Sequence, residues 1–302
     1  MRILTAHLFP GLHRQLITLL DGLGAADWTR PTVAGAWRVR DIAAHLLDVQ
    51  LRRLSAHRDG YRASPPTRPL DGPADLVAFL NELNRTWVTA FQPVSPRLLV
   101  DLLSLVGPQL AEFVATVDPD GPGLYPVAWA GETSSPAWFD LGRDYTELWH
   151  HQAQIRLAVG AEPLESREWL HPVLALAARG LPWALRHYPR PEGSVVRLEI
   201  EGEAGGTWSV VANRTGWTLT DGLTTAGPST AVGRTDSSPG PNDRRAERPA
   251  DPVPVATVHL PASVAWQVFF NARDLEAARA AARIDGDPDL ADAVLRLRSV
   301  MV

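Results

Sequence analysis

The pattern of apolar and polar positions divides the chain into a helical first part and a mixed second part. In the first part apolar residues recur every three or four positions, in stretches separated by Pro and Gly, which predicts amphipathic helices. Residues 118–136 are rich in Gly, Pro and Ser and are expected to form a loop. Long helices joined by short breaks are typical of an up-and-down bundle. The predicted helices cover about residues 4–23, 39–58, 73–91, 96–117, 137–159 and 165–187.

After Pro191 the helical period gives way to alternation of apolar and polar residues, which is typical of strands. Residues 222–252 are dominated by Gly, Ser, Pro, Asp and Arg, which predicts a long mobile loop. We therefore expect an α+β fold, with a helical bundle over residues 1–189 and a small α+β domain over residues 190–302. The second part is expected to contain strands at 194–201, 207–211, 217–220 and 253–259, the first three forming a meander, and helices near 261–271 and 288–297.

Composition narrows the class of protein. Of the 302 residues 45% are hydrophobic, enough to bury a sizeable core, and the net charge of −5 provides no basic surface for nucleic acid. The first residues lack the features of a signal peptide, and no apolar run reaches the roughly 20 residues that span a bilayer. These observations predict a cytoplasmic protein that binds neither nucleic acid nor membrane, as a monomer or a small homo-oligomer.

Two residue types with reactive side chains are missing. There is no Cys, which excludes disulfides, thiolate metal sites and a protein thiol nucleophile. All 29 basic residues are Arg, so Schiff-base chemistry through a lysine is excluded as well.

The predicted helix over residues 137–159 carries the first group of candidate ligands. At about 100° per residue, His151 lies roughly 60–70° from the centre of the apolar stripe, Glu147 about 110° from it, and His150 roughly 170° from it, facing outward. Glu147 and His151 are four residues apart, so their side chains share one flank, which Gln154 continues. The stripe itself is formed by Leu141, Leu148, Ile155 and Val159.

The predicted helix over residues 39–58 carries a third candidate, because His45 lies about 80° from the centre of its own apolar stripe. His45, Glu147 and His151 could converge on a divalent ion, since two imidazoles and one carboxylate suit Zn, Fe, Ni or Mn and leave positions open. The same spacing also fits an alternative without a metal, in which the histidines are hydrogen-bonded residues at the boundary of the core and Glu147 and His151 form a surface pair. Pairing Glu147 with His150, as in di-iron bundles, is disfavoured because only one such pair exists and His150 is expected to face outward.

Two segments around these residues resemble the signatures of the mycothiol-dependent maleylpyruvate isomerase family, a branch of the DinB-like metalloprotein superfamily. Residues 31–46, with Trp37, Val-Arg-Asp-Ile and His45, look like its first metal-binding signature. Residues 147–160, which read Glu-Leu-Trp-x-His followed by Ile-Arg-x-Ala-Val-Gly, look like its second. Residues 282–295 resemble the end of the family's sterol-carrier-like C-terminal domain.

The resemblance implies a DinB-like bundle in which His45, Glu147 and His151 hold a divalent metal, Zn foremost, with Ni, Fe or Mn possible. It also implies that mycothiol or a similar small thiol is a co-substrate, and that the protein is a transferase or isomerase acting on an electrophilic small molecule. Two alternatives stay open: a thiol-independent metal hydrolase or lyase, and a non-enzymatic small-molecule binding protein with a structural metal.

Five neighbouring residues are candidates for supporting the metal or the substrate. Gln154 stands where many relatives carry Asp, which removes a negative charge beside the site. Asp41 could orient His45, although a carboxylate in the first turn of a helix is also favoured by the helix dipole. Arg156 could bind a substrate carboxylate, although an exposed helix arginine is the default interpretation. Trp37 and Trp149 could line an aromatic pocket, although packing at helix crossings is the commoner use of Trp.

Overall fold

The computed structural model describes residues 2–61, 70–220 and 253–300. It confirms the α+β class, because a helical N-terminal part is followed by a five-stranded sheet with its own helices. The predicted mobile loop at 222–252 lies outside the described residues. The chain changes from helices to strands near residue 190, as expected. The division into two domains stays a prediction, since one apolar core runs through both parts.

The N-terminal part is built from helices whose ends follow local sequence signals. These helices are α1 (Phe9–Asp21), α2 (Val39–Arg53), α3 (Pro73–Ala90), α4 (Pro96–Thr116), α5 (Ala137–Val159), α6 (Arg167–Ala178) and α7 (Leu181–Ala184). Ser95 accepts a hydrogen bond from the Leu98 amide and so caps α4, and Gly160 ends α5 in the left-handed conformation with φ 69°. A short π-helical turn, Leu54–Arg58, continues α2, so that this helical stretch reaches the predicted end.

The single helix predicted over residues 165–187 is wrong, because the chain forms α6 and α7 with a break between them. Gly180 lies at the break, and Pro182 follows in the first turn of α7. A proline has no amide hydrogen to donate, so α6 cannot continue through this position with its hydrogen bonds intact.

Helices α1, α2, α4 and α5 share the apolar core of the bundle. By length and composition α4 could cross a membrane, contrary to the expectation that no apolar run is long enough. Its buried residues, which include Leu99, Leu103 and Leu110, belong to the bundle core, where α4 packs against α1 and α2.

The C-terminal part is a mixed sheet with its own helices. Its elements are β1 (Val195–Glu201), β2 (Gly206–Asn213), β3 (Gly216–Thr220), β4 (Ala256–Pro261), α8 (Ala262–Phe269), α9 (Leu275–Ala281), β5 (Arg283–Gly286) and α10 (Pro288–Leu295). The strand order is β3-β2-β1-β4-β5. The predicted meander is confirmed, since β1, β2 and β3 pair antiparallel, whereas β4 pairs parallel to β1 and antiparallel to β5. Helix α9 and strand β5 were not predicted because both are short.

A buried ion pair joins α2 to α5. The Arg53 guanidinium donates two hydrogen bonds to the Asp140 carboxylate, at 2.8 and 3.0 Å, and also pairs with Asp144. Asp140 is fully buried and also accepts a hydrogen bond of 2.8 Å from the Leu124 amide. Burial by itself would raise the pKa of Asp140, but Arg53 and Arg143 hold it below its ordinary value. The ion pair is therefore charged, and in this form it fixes the antiparallel register of α2 and α5.

Replacing Arg53 with Met tests this contact. We expect the free energy of unfolding to fall by about 3–5 kcal/mol, because the substitution leaves the Asp140 charge buried without its partner. Urea unfolding followed by circular dichroism measures the change. Arg143→Gln is the matched control: Arg143 also donates to Asp140 but is partly exposed, and a loss below about 1 kcal/mol is expected. Equal losses in the two variants would show that burial of the pair is unimportant.

Candidate metal centre

The three predicted ligands meet at one point between α2 and α5. Glu147 Oε1 lies 3.0 Å from His45 Nε2 and 3.2 Å from His151 Nε2. One ligand atom from each of the three residues lies within 4.8 Å of the other two. With metal–ligand bonds of about 2.0–2.1 Å, the ligand atoms of a tetrahedral site are about 3.3 Å apart. The separations on either side of Glu147 are therefore compatible with a tetrahedral metal site, and they are also those of hydrogen bonds between Glu147 and the two imidazoles.

The hydrogen bonding of His151 makes a cation at this point chemically reasonable. Its Nδ1 lies 2.7 Å from Gln154 Oε1, an atom that can only accept a hydrogen bond, so Nδ1 carries the proton. In the neutral ring Nε2 then presents a lone pair to the carboxylate of Glu147. Two acceptors 3.2 Å apart repel each other unless a proton or a cation lies between them. The donor set therefore fits a divalent ion.

The charge states of His45 and Glu147 also suit metal binding. Burial lowers the pKa of His45 to about 4, so this imidazole is neutral at pH 7. Burial would raise the pKa of Glu147, but the charge of His151 in its protonated form and the hydrogen bonds from His151 and His45 hold that pKa well below its ordinary value when no metal is bound. A neutral imidazole and an ionised carboxylate are the forms that bind metals.

The two histidines are supported differently. Gln154 fixes the ring of His151, whereas His45 Nδ1 is buried and has no hydrogen-bond partner within the described residues. The Trp37 ring packs against His45 with 4.9 Å between ring centroids, and against His151 with 6.0 Å. Of the candidate supporting residues, Gln154 and Trp37 therefore lie against the proposed ligands.

The structure places Trp149 away from the centre. It is fully buried, donates from Nε1 to the Leu164 carbonyl at 3.2 Å, and packs edge-to-face on Trp266 of α8. This is the packing role that the sequence also allowed. Trp149 instead joins the bundle to the C-terminal part.

Asp41 and Arg156 bond elsewhere as well. Asp41 accepts hydrogen bonds from the Arg38 amide at 3.0 Å and from the Gln92 side chain at 2.8 Å, so it caps the start of α2. Arg156 is buried and donates to the carbonyl oxygens of Glu162 at 2.7 Å and Gln15 at 3.3 Å. Both residues stabilise helices of the bundle.

The prediction that His150 faces outward is wrong. His150 is 3% exposed, and its ring stacks on Phe270 of the C-terminal part, with centroids 4.8 Å apart. A helical wheel places His150 opposite the bundle core, but it cannot show that another part of the chain covers that side of α5. Nδ1 of His150 is bonded to the Thr146 carbonyl at 3.0 Å and lies 3.8 Å from Glu147, so the three-residue set does not include it.

The sequence reasoning treated Asp48 as a solvated or ion-paired charge and did not identify its partner on α2. Asp48 and Arg52 are three and seven residues after His45 on α2, and a search for charged residues at this spacing could have found them. Asp48 is buried and pairs with Arg52, which also bonds Asn84 of α3.

Fold and site together define an α+β protein whose helical bundle carries a candidate centre of two histidines and one carboxylate. Residues 9–156 match the family model of the mycothiol maleylpyruvate isomerase N-terminal domain. The match covers the helical N-terminal part of the chain and agrees with the resemblance that its two signatures carry. The match ends at residue 156, and the sterol-carrier-like character of the C-terminal part stays a prediction.

Two solved structures are similar to the chain at 12% identity, each aligned over 87% of this chain and 86% of the other. One is the crystal structure of the mycothiol-dependent maleylpyruvate isomerase, with a TM-score of 0.48. The other is a histidine-to-alanine mutant of it, with a TM-score of 0.44. No curated protein matches the chain.

Replacing His150 with Gln tests the cost of burying this imidazole. Burial, with the charge of His151 as a further cause, lowers the pKa of His150 to about 3, against 6.5 for an ordinary histidine. Between these values the unfolded chain binds a proton that the folded protein does not, so stability is lost as the pH falls. Between pH 6 and pH 4 we expect the free energy of unfolding of the metal-free wild-type protein to fall with decreasing pH. The fall should be steeper than that of His150→Gln by about 1.4 kcal/mol per pH unit.

Urea unfolding in the presence of a chelator at pH 7, 6, 5 and 4 measures the two slopes. His187→Gln, at an exposed position, is the control and should follow the wild-type slope. If the unfolding free energy of His150→Gln depends on pH as steeply as that of the wild type, burial does not lower the pKa of His150.

Proposed function

We propose that this protein is an enzyme that binds a divalent metal through His45, Glu147 and His151. With a small thiol such as mycothiol as co-substrate, it acts as a transferase or isomerase on an electrophilic small molecule. The observation that carries the metal site is the approach of Glu147 Oε1 to both imidazole nitrogens, at 3.0 and 3.2 Å.

The thiol co-substrate is supported by the family match, because the matched domain is named after a mycothiol-dependent isomerase. The absence of Cys is consistent with a thiol that arrives from outside the protein, although it does not demand one. When bound, a divalent metal lowers the pKa of a coordinated thiol or water and so supplies a strong nucleophile at neutral pH.

The residues around the centre determine how the ligands are presented. Glu147 contributes the single negative charge of the set, and it is the most exposed of the three, with a side chain 30% accessible. Gln154 holds the proton of His151 on Nδ1 without adding a second negative charge, which keeps the imidazole a weaker donor than a carboxylate partner would. Zn suits this set best, and Ni, Fe and Mn also accept it.

Metal content tests the site directly. We expect the purified protein to carry about one Zn per chain, and His45→Ala, Glu147→Ala and His151→Ala each to fall well below this, because two ligands seldom retain the ion. Elemental analysis after dialysis measures the ratio, and circular dichroism confirms folding. His187→Ala, at an exposed position, is the matched control. Equal metal in the wild type and all variants would refute the site.

Dependence on thiol separates the reaction classes. We expect metal-loaded protein to convert an electrophile from a panel that includes maleylpyruvate only when mycothiol is added, because the chain has no thiol of its own. Product analysis by mass spectrometry distinguishes a released adduct, made by a transferase, from an isomer. Undiminished turnover in thiol-free buffer would refute the thiol-dependent reaction and favour a hydrolase or lyase.

A further inference from the structure

Contacts between aromatic rings connect the C-terminal part of the chain to the candidate metal centre. Phe270, the residue that caps the end of α8, stacks on His150 with 4.8 Å between ring centroids and 21° between the ring planes. The ring of His150 lies in turn 4.0 Å from that of His151, at an angle of 35°. Phe270 therefore reaches one of the proposed ligands through a single intervening ring.

The backbone that carries Phe270 is fixed by the turn that ends α8. The amides of Asn271 and Ala272 donate back to carbonyl oxygens of the helix at 3.3 and 2.8 Å, which is the bonding of a Schellman motif. Asn271 adopts the left-handed conformation that this motif requires, with φ 58°, and its side-chain oxygen accepts a hydrogen bond from Arg298 Nε at 3.1 Å. The buried ring of Phe270 therefore projects from a rigid support.

Two contacts together fix the orientation of the His150 ring. Its Nδ1 donates to the Thr146 carbonyl at 3.0 Å, because a carbonyl oxygen can only accept, and this bond sets the direction in which one edge of the ring faces. The stacked ring of Phe270 sets the plane. His150 therefore presents a fixed surface to its neighbours, which include the Glu147 carboxylate, 3.8 Å from Nδ1.

The imidazole of His151 needs one orientation to act as a ligand, with Nε2 towards Glu147 Oε1. The hydrogen bond from its Nδ1 to Gln154 fixes one atom of the ring, but one hydrogen bond does not fix the plane of the ring. The rings of His150, at 4.0 Å, and of His45, at 4.7 Å, limit how far the plane can tilt. Of these contacts, the one with His150 depends on the C-terminal part of the chain.

A second aromatic contact of α8 joins the same two parts of the chain without leading to a ligand. Trp266 packs edge-to-face on Trp149 of α5, with 5.7 Å between ring centroids, and donates from Nε1 to the Glu165 carboxylate at 3.2 Å. Trp149 itself donates to the Leu164 carbonyl. The docking of the two parts therefore has an anchor of its own, and the effect of Phe270 on the centre can be measured separately from it.

We propose that Phe270 is a positioning residue for the candidate metal centre: by way of His150 it holds the ring of His151 in the orientation of a ligand. This inference rests on the proposed function, because it concerns the same site. A ligand that is already oriented loses less entropy when it binds the ion, so residues that orient metal ligands affect metal affinity. The C-terminal part of the chain thereby contributes to the centre, although the three candidate ligands all come from the bundle.

Zinc affinity, measured by competition with a chelating dye, tests this role. We expect Phe270→Leu to weaken zinc binding about tenfold or more, since the loss of a group that orients a metal ligand has an effect of this size. Phe270→Tyr keeps the ring and should bind zinc as the wild type does. Trp266→Leu is the matched control, because it removes a ring from the same helix and the same contact with α5, and its zinc affinity should equal that of the wild type.

The comparison between the two leucine variants separates positioning from docking. If Trp266→Leu loses as much zinc affinity as Phe270→Leu, the loss reflects the docking of the two parts of the chain, and the assignment is wrong. A Phe270→Tyr protein as weak as Phe270→Leu, or a Phe270→Leu protein as strong as the wild type, would also overturn it. Should Phe270→Leu fail to fold, Phe270→Met, which fills the space without a flat ring, takes its place.

A measurement on metal-free protein keeps this inference separate from the proposed function. The imidazole nitrogen signals of His151 in NMR spectra show which ring nitrogen carries the proton, and in the wild type we expect Nδ1 to carry it, as the bond to Gln154 requires. In Phe270→Leu these signals should move towards the average of the two tautomers, whereas those of the exposed His187 should not change. His151 signals that stay as in the wild type would overturn the positioning role.

The two measurements together distinguish the two proposals. Wild-type protein that binds no zinc would refute the proposed metal centre, and the His151 signals would still decide the role of Phe270. Zinc bound equally well by the wild type and Phe270→Leu would refute the role of Phe270 while leaving the metal centre intact.

Discussion

The register between α2 and α5 is the constraint on which the candidate centre depends, and the buried pair of Arg53 and Asp140 sets it. Arg53 is eight residues after His45 on α2, and Asp140 is seven residues before Glu147 on α5. Because the helices run antiparallel, joining Arg53 to Asp140 brings His45 level with Glu147. A shift of one turn along either helix, about 5.4 Å, would separate the ligand atoms beyond any metal–ligand geometry. The ion pair and the ligand cluster are thus two consequences of one packing arrangement.

Around the ligands, each neighbouring element has a distinct physical effect. Gln154, one turn beyond His151 on α5, fixes the tautomer of that imidazole by accepting its Nδ1 proton. Trp37, just before α2, packs against both rings. The end of α8 brings Phe270 against His150, and Trp266 against Trp149, so that the C-terminal part covers the side of α5 adjacent to the ligands. The centre is therefore flanked by two parts of the chain that are far apart in sequence.

Much of the bundle, and the three residues that the structure brings together as candidate ligands, could be predicted from the sequence. Apolar periodicity and Pro and Gly breaks place the helices within a few residues, because these signals act locally. Helical phase also selects His151 over His150 as the partner of Glu147, since four residues return a side chain to the same flank. The break after α6 was missed because Gly180 and Pro182 lie within a pattern that otherwise continues. Strand β5 was missed because four residues are too few to show alternation.

The sequence by itself determined which side chains could share a helical flank, which chemistry their atoms allow, and which chemistry the absence of Cys and Lys excludes. These are properties of composition and of the 3.6-residue period, so they need no knowledge of neighbouring helices. Only the tertiary structure decided that His150 is buried by Phe270 and that Arg52 is held by Asn84, 32 residues away. The physical reason is that burial and partner choice depend on which surfaces pack together, and a one-dimensional pattern does not specify the partner of an exposed flank.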